Sequence, residues 1–259
     1  MQTAVVTFLR NPKSVNGHFV PEITCRALKQ KILQEKSVDS ILYLDFERVR
    51  DMSPEQFIDM LCALFKIGYI ASGFNYRFGR DATAGVSDLE RICAPRGIEV
   101  ATLSPVCVGE LPISSSRIRA LVADGNLSGA AKLLGHPLAL YGEVVQGRRL
   151  GRTLGMPTIN QMLSAPQLLP RFGVYSAVAH IDGELLPAVT NIGVKPTISD
   201  HDDPIAETYI IGFEGDLYGK IVQVDLLEFL RPEIRFGSLD ELKAQIQKDA
   251  QQALDSVGA

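Results

Sequence analysis

The first 110 or so residues alternate short apolar runs with stretches of helical periodicity. The runs at 4–8, 40–44, 69–72 and 99–103 predict strands, and the stretches at 24–34, 54–65 and 86–94 predict helices, with Ser53 capping the second before Pro54. Strands that alternate with helices are typical of a parallel sheet covered on both faces. We therefore predict a doubly wound α/β domain.

Further along the chain the period of the pattern changes. A polar helix begins in the Ser114–Arg119 segment and another helix covers 126–134; strands are then predicted at 142–145, 173–181, 186–192, 207–213 and 221–229. Several short strands in succession indicate an antiparallel barrel or sandwich. A last helix, 239–254, places Leu242, Ile246, Ala250 and Leu254 on one stripe. We predict two domains, 1–136 and 137–259.

Composition narrows the class of protein. Hydrophobic residues make up 46% of the 259, enough for a sizeable core, and the net charge of −4 argues against broad nucleic-acid binding. No apolar run approaches 18 residues and the first residues do not resemble a secretory signal, so we expect a cytoplasmic protein without membrane contact. The widely spaced cysteines and histidines predict neither disulfides nor catalytic zinc, and we expect the thiols at 25, 62, 93 and 107 to be buried.

The segment 141–160, YGEVVQGRRLGRTLGMPTIN, suggests phosphate chemistry. Its glycines allow backbone amides to approach an anion closely. Thr158 and Asn160 are at alternate positions, so on an extended segment both side chains face the same way, as a Mg²⁺ site with few protein oxygens requires. The alternative is that they only cap a turn after Pro157.

Other candidate residues are less specific. Glu207 lies in a strand where it shares a face with Tyr209, and its carboxylate could accept a proton from an attacking hydroxyl; an ordinary exposed strand glutamate is the alternative. Arg231 ends a long strand and could hold an anion or an aromatic ring, or form a surface ion pair with Glu233.

Two segments of the first half could also contact nucleotides or flavins. The loop 73–79 carries aromatic side chains, Asn75 and Arg77, and could stack a base or flavin, although a packed surface turn fits equally well. The run 114–119 offers a phosphate seat at a helix start, or simply an N-cap followed by a solvated basic turn; its candidate residues are Ser115, Ser116, Arg117 and Arg119.

Together these motifs resemble a known family. The second half is similar to the riboflavin kinase module of the bacterial bifunctional riboflavin kinase/FAD synthetase through the glycine-rich segment, FGVYSAV (172–178), NIGVKPT (191–197), AETYI (206–210) and FLRPEIRF (229–236). The resemblance implies a six-stranded antiparallel Greek-key barrel with a C-terminal helix, and transfer of the γ-phosphoryl group of ATP to the 5′-hydroxyl of riboflavin.

The resemblance also assigns roles to residues. It implies that Thr158 and Asn160 contact Mg²⁺ and nucleotide phosphates and that Glu207 is the catalytic base. The remaining residues implied to bind ATP or flavin are Gly147, Gly151, Arg152, Gly155 and Arg231. This arrangement suits phosphoryl transfer, in which catalysis is mainly positioning and charge neutralisation.

The first half resembles the family's FMN adenylyltransferase module, a nucleotidyltransferase-like (Rossmann-like) fold, through SGFNYRFGRDATAG (72–85) and ISSSRIR (113–119). The family normally begins with a strand leading into G-x-F-D-G-x-H-x-G-H, which this sequence does not contain. Residues 3–12 align with the second strand, where Leu9, Arg10 and Asn11 replace Glu-Pro-His. We therefore expect a parallel sheet lacking its first strand, a degenerate site at Asn75, Arg77, Ser115, Ser116, Arg117 and Arg119, and FMN adenylylation that is absent or very weak.

Three alternatives stay open at this stage. An exposed edge in the sheet could be covered by a second copy in a homo-oligomer. If Met1 is not the biological start, upstream residues could restore a bifunctional kinase and FMN adenylyltransferase. The first half could instead be a flavin- or nucleotide-binding regulatory module.

Overall fold

The computed structural model describes residues 2–14, 19–147, 155–163, 167–194 and 204–257. Contacts between residues divide the chain into two compact units. The first comprises Met1–Val20 and Gln30–Ile113, and the second comprises Pro21–Lys29 and Ser114–Ala259. Residues 114–136, which we assigned to the first domain, thus pack with the second unit, while the extent of each module stays a prediction.

Parallel strands and helices alternate in the first unit as expected. In chain order the elements are β1 (Ala4–Phe8), α1 (Arg26–Glu35, which begins in the second unit), β2 (Ser40–Leu44), α2 (Phe46–Val49), α3 (Pro54–Leu64), β3 (Tyr69–Gly73), α4 (Val86–Cys93), β4 (Glu99–Leu103), β5 (Cys107–Val108) and β6 (Leu111–Pro112). Ser53 forms a capping box with Gln56 at the start of α3, as its position before Pro54 predicted.

The strands of the first unit form pairs rather than one continuous sheet. β1 pairs in parallel with β2, and β3 pairs in parallel with β4; β5 and β6 form a short antiparallel hairpin. One apolar cluster nevertheless joins both parallel pairs to the helices, since it includes Leu44, Ile58, Leu89 and, at its margin, Ile70. The predicted parallel-strand architecture is confirmed, and it is held by this shared core.

The second unit contains a closed barrel. Helices α5 (Ser115–Ala123) and α6 (Leu127–Leu134) precede strands β7 (Leu138–Val145), β8 (Thr158–Met162), β9 (Gly173–Ile181), β10 (Glu184–Val194), β11 (Pro204–Ile210) and β12 (Ile221–Arg231), and helix α7 (Leu239–Val257) follows. The six strands are joined in the order β10-β11-β8-β7-β12-β9, and every pairing is antiparallel. The prediction of a six-stranded antiparallel barrel with a C-terminal helix is confirmed.

Helix α7 buries much of the stripe that the pattern predicted. Leu242, Ile246 and Ala250 are partly buried, whereas Leu254 is 40% exposed and the prediction was wrong for it. Ala250 packs with Val174 and Val189 of the barrel beside Ala253. The most buried residues of the helix are Asp249 and Ala253, which the apolar pattern did not select.

The cysteines are also less uniformly buried than predicted. Cys93 is buried and Cys25 and Cys62 are partly buried, but Cys107 in the β5–β6 hairpin is exposed, so the prediction was wrong for that residue. Within the described ranges no helix has the length and apolar character needed to cross a membrane.

Candidate active site

The candidate catalytic residues share one face of the barrel wall. On β11, Ala206, Thr208 and Ile210 are buried, whereas Glu207 and Tyr209 alternate with them and are partly exposed. Glu207 is the register partner of Asn160 on β8 and of Asn191 on β10. These three polar side chains therefore lie side by side across three neighbouring strands, and we call them the polar row.

Thr158 and Glu207 are in direct contact. The Thr158 hydroxyl donates a hydrogen bond to Glu207 Oε1 at 2.9 Å. Thr158 and Asn160 both lie on strand β8, so their alternate spacing places both side chains on the Glu207 side. The hydroxyl, amide and carboxylate oxygens that suit a hard cation are thus brought together.

Gly147 allows the backbone to lie directly against Asn160. A Cβ atom at position 147 would stand only 2.2 Å from the Asn160 side-chain nitrogen, so no other residue fits without displacing that amide. Asn160 itself is 4% exposed. The start of the glycine-rich segment therefore lies directly against Asn160 of the polar row.

The rest of that segment is described only in part. Gly155 has a φ of 73°, a conformation that favours glycine. Gly151 and Arg152 lie outside the described residues.

A recess opens next to Thr158. The space that it encloses is small, about 40 Å³, and Thr158, which bonds to Glu207 of the polar row, belongs to its lining. The exposed surface of the lining is about equally polar and apolar, and it consists of Val144, Pro157, Thr158, Ile159, Ile210, Phe213, Gly215, Asp216, Leu217 and Tyr218.

Arg231 at the end of β12 is bound to helix α7. Its guanidinium donates to both carboxylate oxygens of Asp249, at 2.7 to 3.1 Å, and to the Pro232 carbonyl at 3.1 Å. Asp249 is 1% exposed and also accepts from Gln245. The alternative of a surface pair with Glu233 is not among the ion pairs of the described residues, since Glu233 accepts a hydrogen bond from Asn191 Nδ2 at 2.9 Å.

The candidates of the first half fall into both units. Asn75 and Arg77 are exposed in the loop after β3, where Arg77 lies close to Gly85. Ser115, Ser116, Arg117 and Arg119 belong to the second unit. There Ser114 caps α5 by accepting from the Arg117 amide, and Arg119 donates to the Pro21 carbonyl at 3.0 Å. The N-cap alternative is thus realised at the helix start.

Sequence reasoning missed three residues around the polar row. Asn191 and Glu233 fall in motifs that carried the resemblance, but neither was selected, and Asp249 was passed over because it interrupts an apolar stripe. Strand register could have found Asn191, since pairing β10 with β11 places it opposite Glu207. No local signal marks the long-range partners of Asp249 and Glu233.

Comparison with known proteins agrees with this geometry. The family model for riboflavin kinase matches residues 134–257, which include every residue of the polar row, and the model for FAD synthetase matches residues 1–117. The chain belongs to the bifunctional riboflavin kinase/FMN adenylyltransferase family. The predicted resemblance is therefore confirmed for both halves.

Individual relatives extend the match over nearly the whole chain. The bifunctional riboflavin kinase/FMN adenylyltransferase of Listeria monocytogenes is 30% identical over 97% of this chain and 81% of its own length. The Escherichia coli K12 protein of the same name is 37% identical over 89% of this chain and 74% of its own. A crystal structure of a Streptococcus pneumoniae protein, described as a macrolide-efflux protein, is 31% identical and superposes with a TM-score of 0.84 over 98% of this chain and 83% of that one.

Proposed function

We propose that this protein is a riboflavin kinase, which transfers the γ-phosphoryl group of ATP to the 5′-hydroxyl of riboflavin to give FMN and ADP. The observation that carries the proposal is the contact between Thr158 and Glu207 beside Asn160, on a barrel that matches the riboflavin kinase family model. Phosphoryl transfer depends on positioning and charge neutralisation, which an oxygen-rich row next to a recess can supply.

Glu207 is the proposed catalytic base. In the reaction the 5′-hydroxyl gives its proton to the Glu207 carboxylate while its oxygen bonds to the γ-phosphorus. The bond from that phosphorus to the β–γ bridging oxygen breaks, and ADP leaves with the bond's electron pair. The hydrogen bond from Thr158 fixes the orientation of the carboxylate, so the base is held ready for the incoming hydroxyl.

Thr158 and Asn160 are the proposed protein ligands of Mg²⁺. The Thr158 hydroxyl donates its hydrogen bond to Glu207, so the lone pairs of its oxygen stay available to coordinate a cation. The parts of the chain that are described contain no cluster of three or more His, Cys, Asp and Glu side chains for a metal. A Mg²⁺ site of two protein oxygens completed by water and phosphate fits this setting, and the bound ion would neutralise phosphate charge.

The remaining ATP contacts surround this row. We propose that Gly147, Gly151, Arg152 and Gly155 contact the phosphates of ATP. For Arg231 a contact to ATP or flavin stays a prediction, and its bonds to Asp249 favour an anchoring role.

We further propose that this chain has little or no FMN adenylyltransferase activity. The support is the replacement of Glu-Pro-His by Leu9, Arg10 and Asn11 directly after β1, since a histidine there would stabilise charge on the transferred phosphate. Asn75, Arg77, Ser115, Ser116, Arg117 and Arg119 would then belong to a degenerate site. The second candidate is a bifunctional enzyme, favoured by the FAD synthetase match over residues 1–117.

Two separate assays test these proposals. The chain incubated with riboflavin and Mg-ATP is expected to form FMN and ADP in equal amounts, measured by chromatography; no FMN would overturn the kinase proposal. The chain incubated with FMN and Mg-ATP is expected to form no FAD above a heat-inactivated control. Rapid FAD formation would establish the bifunctional alternative and leave the kinase proposal intact.

The proposed reaction also implies which small molecules the enzyme binds and where it works. Its partners are riboflavin, ATP and FMN, and it works in the cytoplasm, where ATP is available. Self-association through a sheet edge of the first unit stays a prediction.

A further inference from the structure

Asn191 lies beside Glu207, the proposed base, and the proposed reaction gives it no role. It is the register partner of Glu207, and side chains directly opposite each other on neighbouring strands have Cβ atoms about 5 Å apart. Thr158 and Asn160 flank Glu207 from β8, whereas Asn191 flanks it from β10, on the other side. The base is therefore bordered by the proposed metal and phosphate residues on one side and by Asn191 on the other.

The orientation of the Asn191 amide is fixed by its partner. Glu233 Oε1 lies 2.9 Å from Asn191 Nδ2, and a carboxylate can only accept a hydrogen bond, so the amide nitrogen must face Glu233. Asn191 Oδ1 consequently points away from Glu233. This oxygen is buried and has no hydrogen-bond partner among the residues that the structure describes. A buried acceptor without a donor is costly unless a ligand supplies one.

Two further observations describe the surroundings of Glu233, whose side chain is exposed. A Cβ atom at Gly193 would stand 2.4 Å from Glu233 Oε1, so the carboxylate lies directly on the backbone of β10, and a side chain at position 193 would have to displace it. Two residues earlier, Arg231 is bound to the buried Asp249 of α7. The segment that carries Glu233 is thus anchored to the helix, and Glu233 in turn anchors Asn191.

We propose that Asn191 is a substrate-positioning residue, whose Oδ1 accepts a hydrogen bond from a ribityl hydroxyl of riboflavin next to the 5′-hydroxyl. The unfilled atom is an acceptor, so it selects a hydroxyl or N–H donor and not a phosphate oxygen. Its place across Glu207 from the proposed metal ligands assigns it to the flavin and not to ATP. This inference rests on the proposed kinase reaction and adds a specificity contact to the same site.

The first test separates binding of the two substrates. Replacing Asn191 by Ala is expected to raise the KM for riboflavin about five- to tenfold, the effect of one lost hydrogen bond, and to leave the KM for Mg-ATP within about twofold. An unchanged riboflavin KM, or an equal rise in both constants, would overturn the proposal. If the wild-type chain formed no FMN, the kinase proposal itself would fail, which is a distinguishable result.

A second set of variants tests the anchor. Glu233→Ala frees the Asn191 amide to rotate and is expected to raise the riboflavin KM about threefold, whereas Glu233→Gln keeps an acceptor oxygen and is expected to restore it. Glu228→Ala removes an exposed carboxylate from the same region of β12 and serves as the matched control, with unchanged constants. Equal effects of Glu233→Ala and Glu233→Gln would contradict the anchoring role.

Riboflavin analogues make the test independent of folding. Deoxyribityl flavins that lack the 2′-, 3′- or 4′-hydroxyl can be assayed with the wild-type chain and with Asn191→Ser. The analogue that lacks the hydroxyl bound by Asn191 is expected to bind both proteins equally, because that ligand cannot form the hydrogen bond with either protein. If every analogue kept the full difference between the two proteins, or if no analogue weakened wild-type binding, Asn191 would not contact a ribityl hydroxyl.

Discussion

At the scale of single residues, the proposed kinase reaction depends on Glu207 acting as a base. Glu207→Gln keeps the size of the side chain and can still accept the hydrogen bond from Thr158, but it cannot take a proton at neutral pH. We expect kcat for FMN formation to fall by about 10²- to 10⁴-fold with little change in either KM. The control is Glu228→Gln on β12; a kcat for Glu207→Gln within threefold of wild type would assign Glu207 another task.

Thr158 offers a test of the proposed metal and phosphate contact. Valine matches threonine in shape but lacks the hydroxyl, whereas serine keeps it. We expect Thr158→Val to lower kcat/KM for Mg-ATP by about tenfold or more and Thr158→Ser to keep most of the activity. Steady-state kinetics over a range of Mg²⁺ concentrations measures both. Similar activity of the two variants would mean that the hydroxyl is dispensable.

The cysteines differ in exposure and therefore in reactivity. Burial raises the pKa of the Cys93 thiol, so a smaller fraction is thiolate at any pH below that pKa, and access is blocked as well. Cys107 is exposed in its hairpin. With a thiol reagent at pH 8 and mass spectrometry of the digested chain, we expect Cys107 to be labelled first and Cys93 last. Early labelling of Cys93 in the folded protein would contradict this packing.

At the scale of secondary-structure elements, the anchoring of α7 to the barrel is the feature with the largest expected effect on stability. Asp249 is 1% exposed and pairs with Arg231, whose side chain is 18% exposed. Asp249→Ala leaves the Arg231 charge without its partner, which typically costs about 3–5 kcal/mol for a buried pair. Urea unfolding followed by circular dichroism measures the loss.

The matched control removes both charges together. In Arg231→Met combined with Asp249→Leu no charge is stranded, and we expect most of the lost stability to return. If the double variant were less stable than Asp249→Ala, the ion pair would contribute more to the barrel than its replacement by apolar contacts.

The positions of some strands were predictable, but their partners were not. The pattern located β9 at 173–181, whereas it placed β11 at 207–213 instead of Pro204–Ile210 and did not predict β8 as a strand. The row of Asn160, Glu207 and Asn191 depends on strand register across three strands, which no local pattern specifies. Asp249 on the buried side of α7 was missed for a related reason, since it is stabilised there by a partner 18 residues away.

At the scale of the whole chain, the change in period predicted two units of different construction. It did not predict which segments belong to each unit, since Pro21–Lys29 belongs to the second unit. There the Leu168 amide donates a hydrogen bond to the Glu22 carbonyl, and Arg119 donates one to the Pro21 carbonyl. These bonds join residues about 100 or more positions apart in sequence. Composition and periodicity carry no information on such pairings, whereas the family resemblance identified both modules by their motifs.

In the proposed reaction the second unit transfers phosphate to riboflavin with Glu207 as base. The most direct measurement is incubation of the full chain with riboflavin and Mg-ATP labelled with ³²P at the γ-position, beside the Glu207→Gln variant. We predict labelled FMN in amounts equal to ADP for the wild type, almost none for the variant, and no labelled FAD. Absence of labelled FMN from the wild-type reaction, or equal labelling by both proteins, would contradict the account.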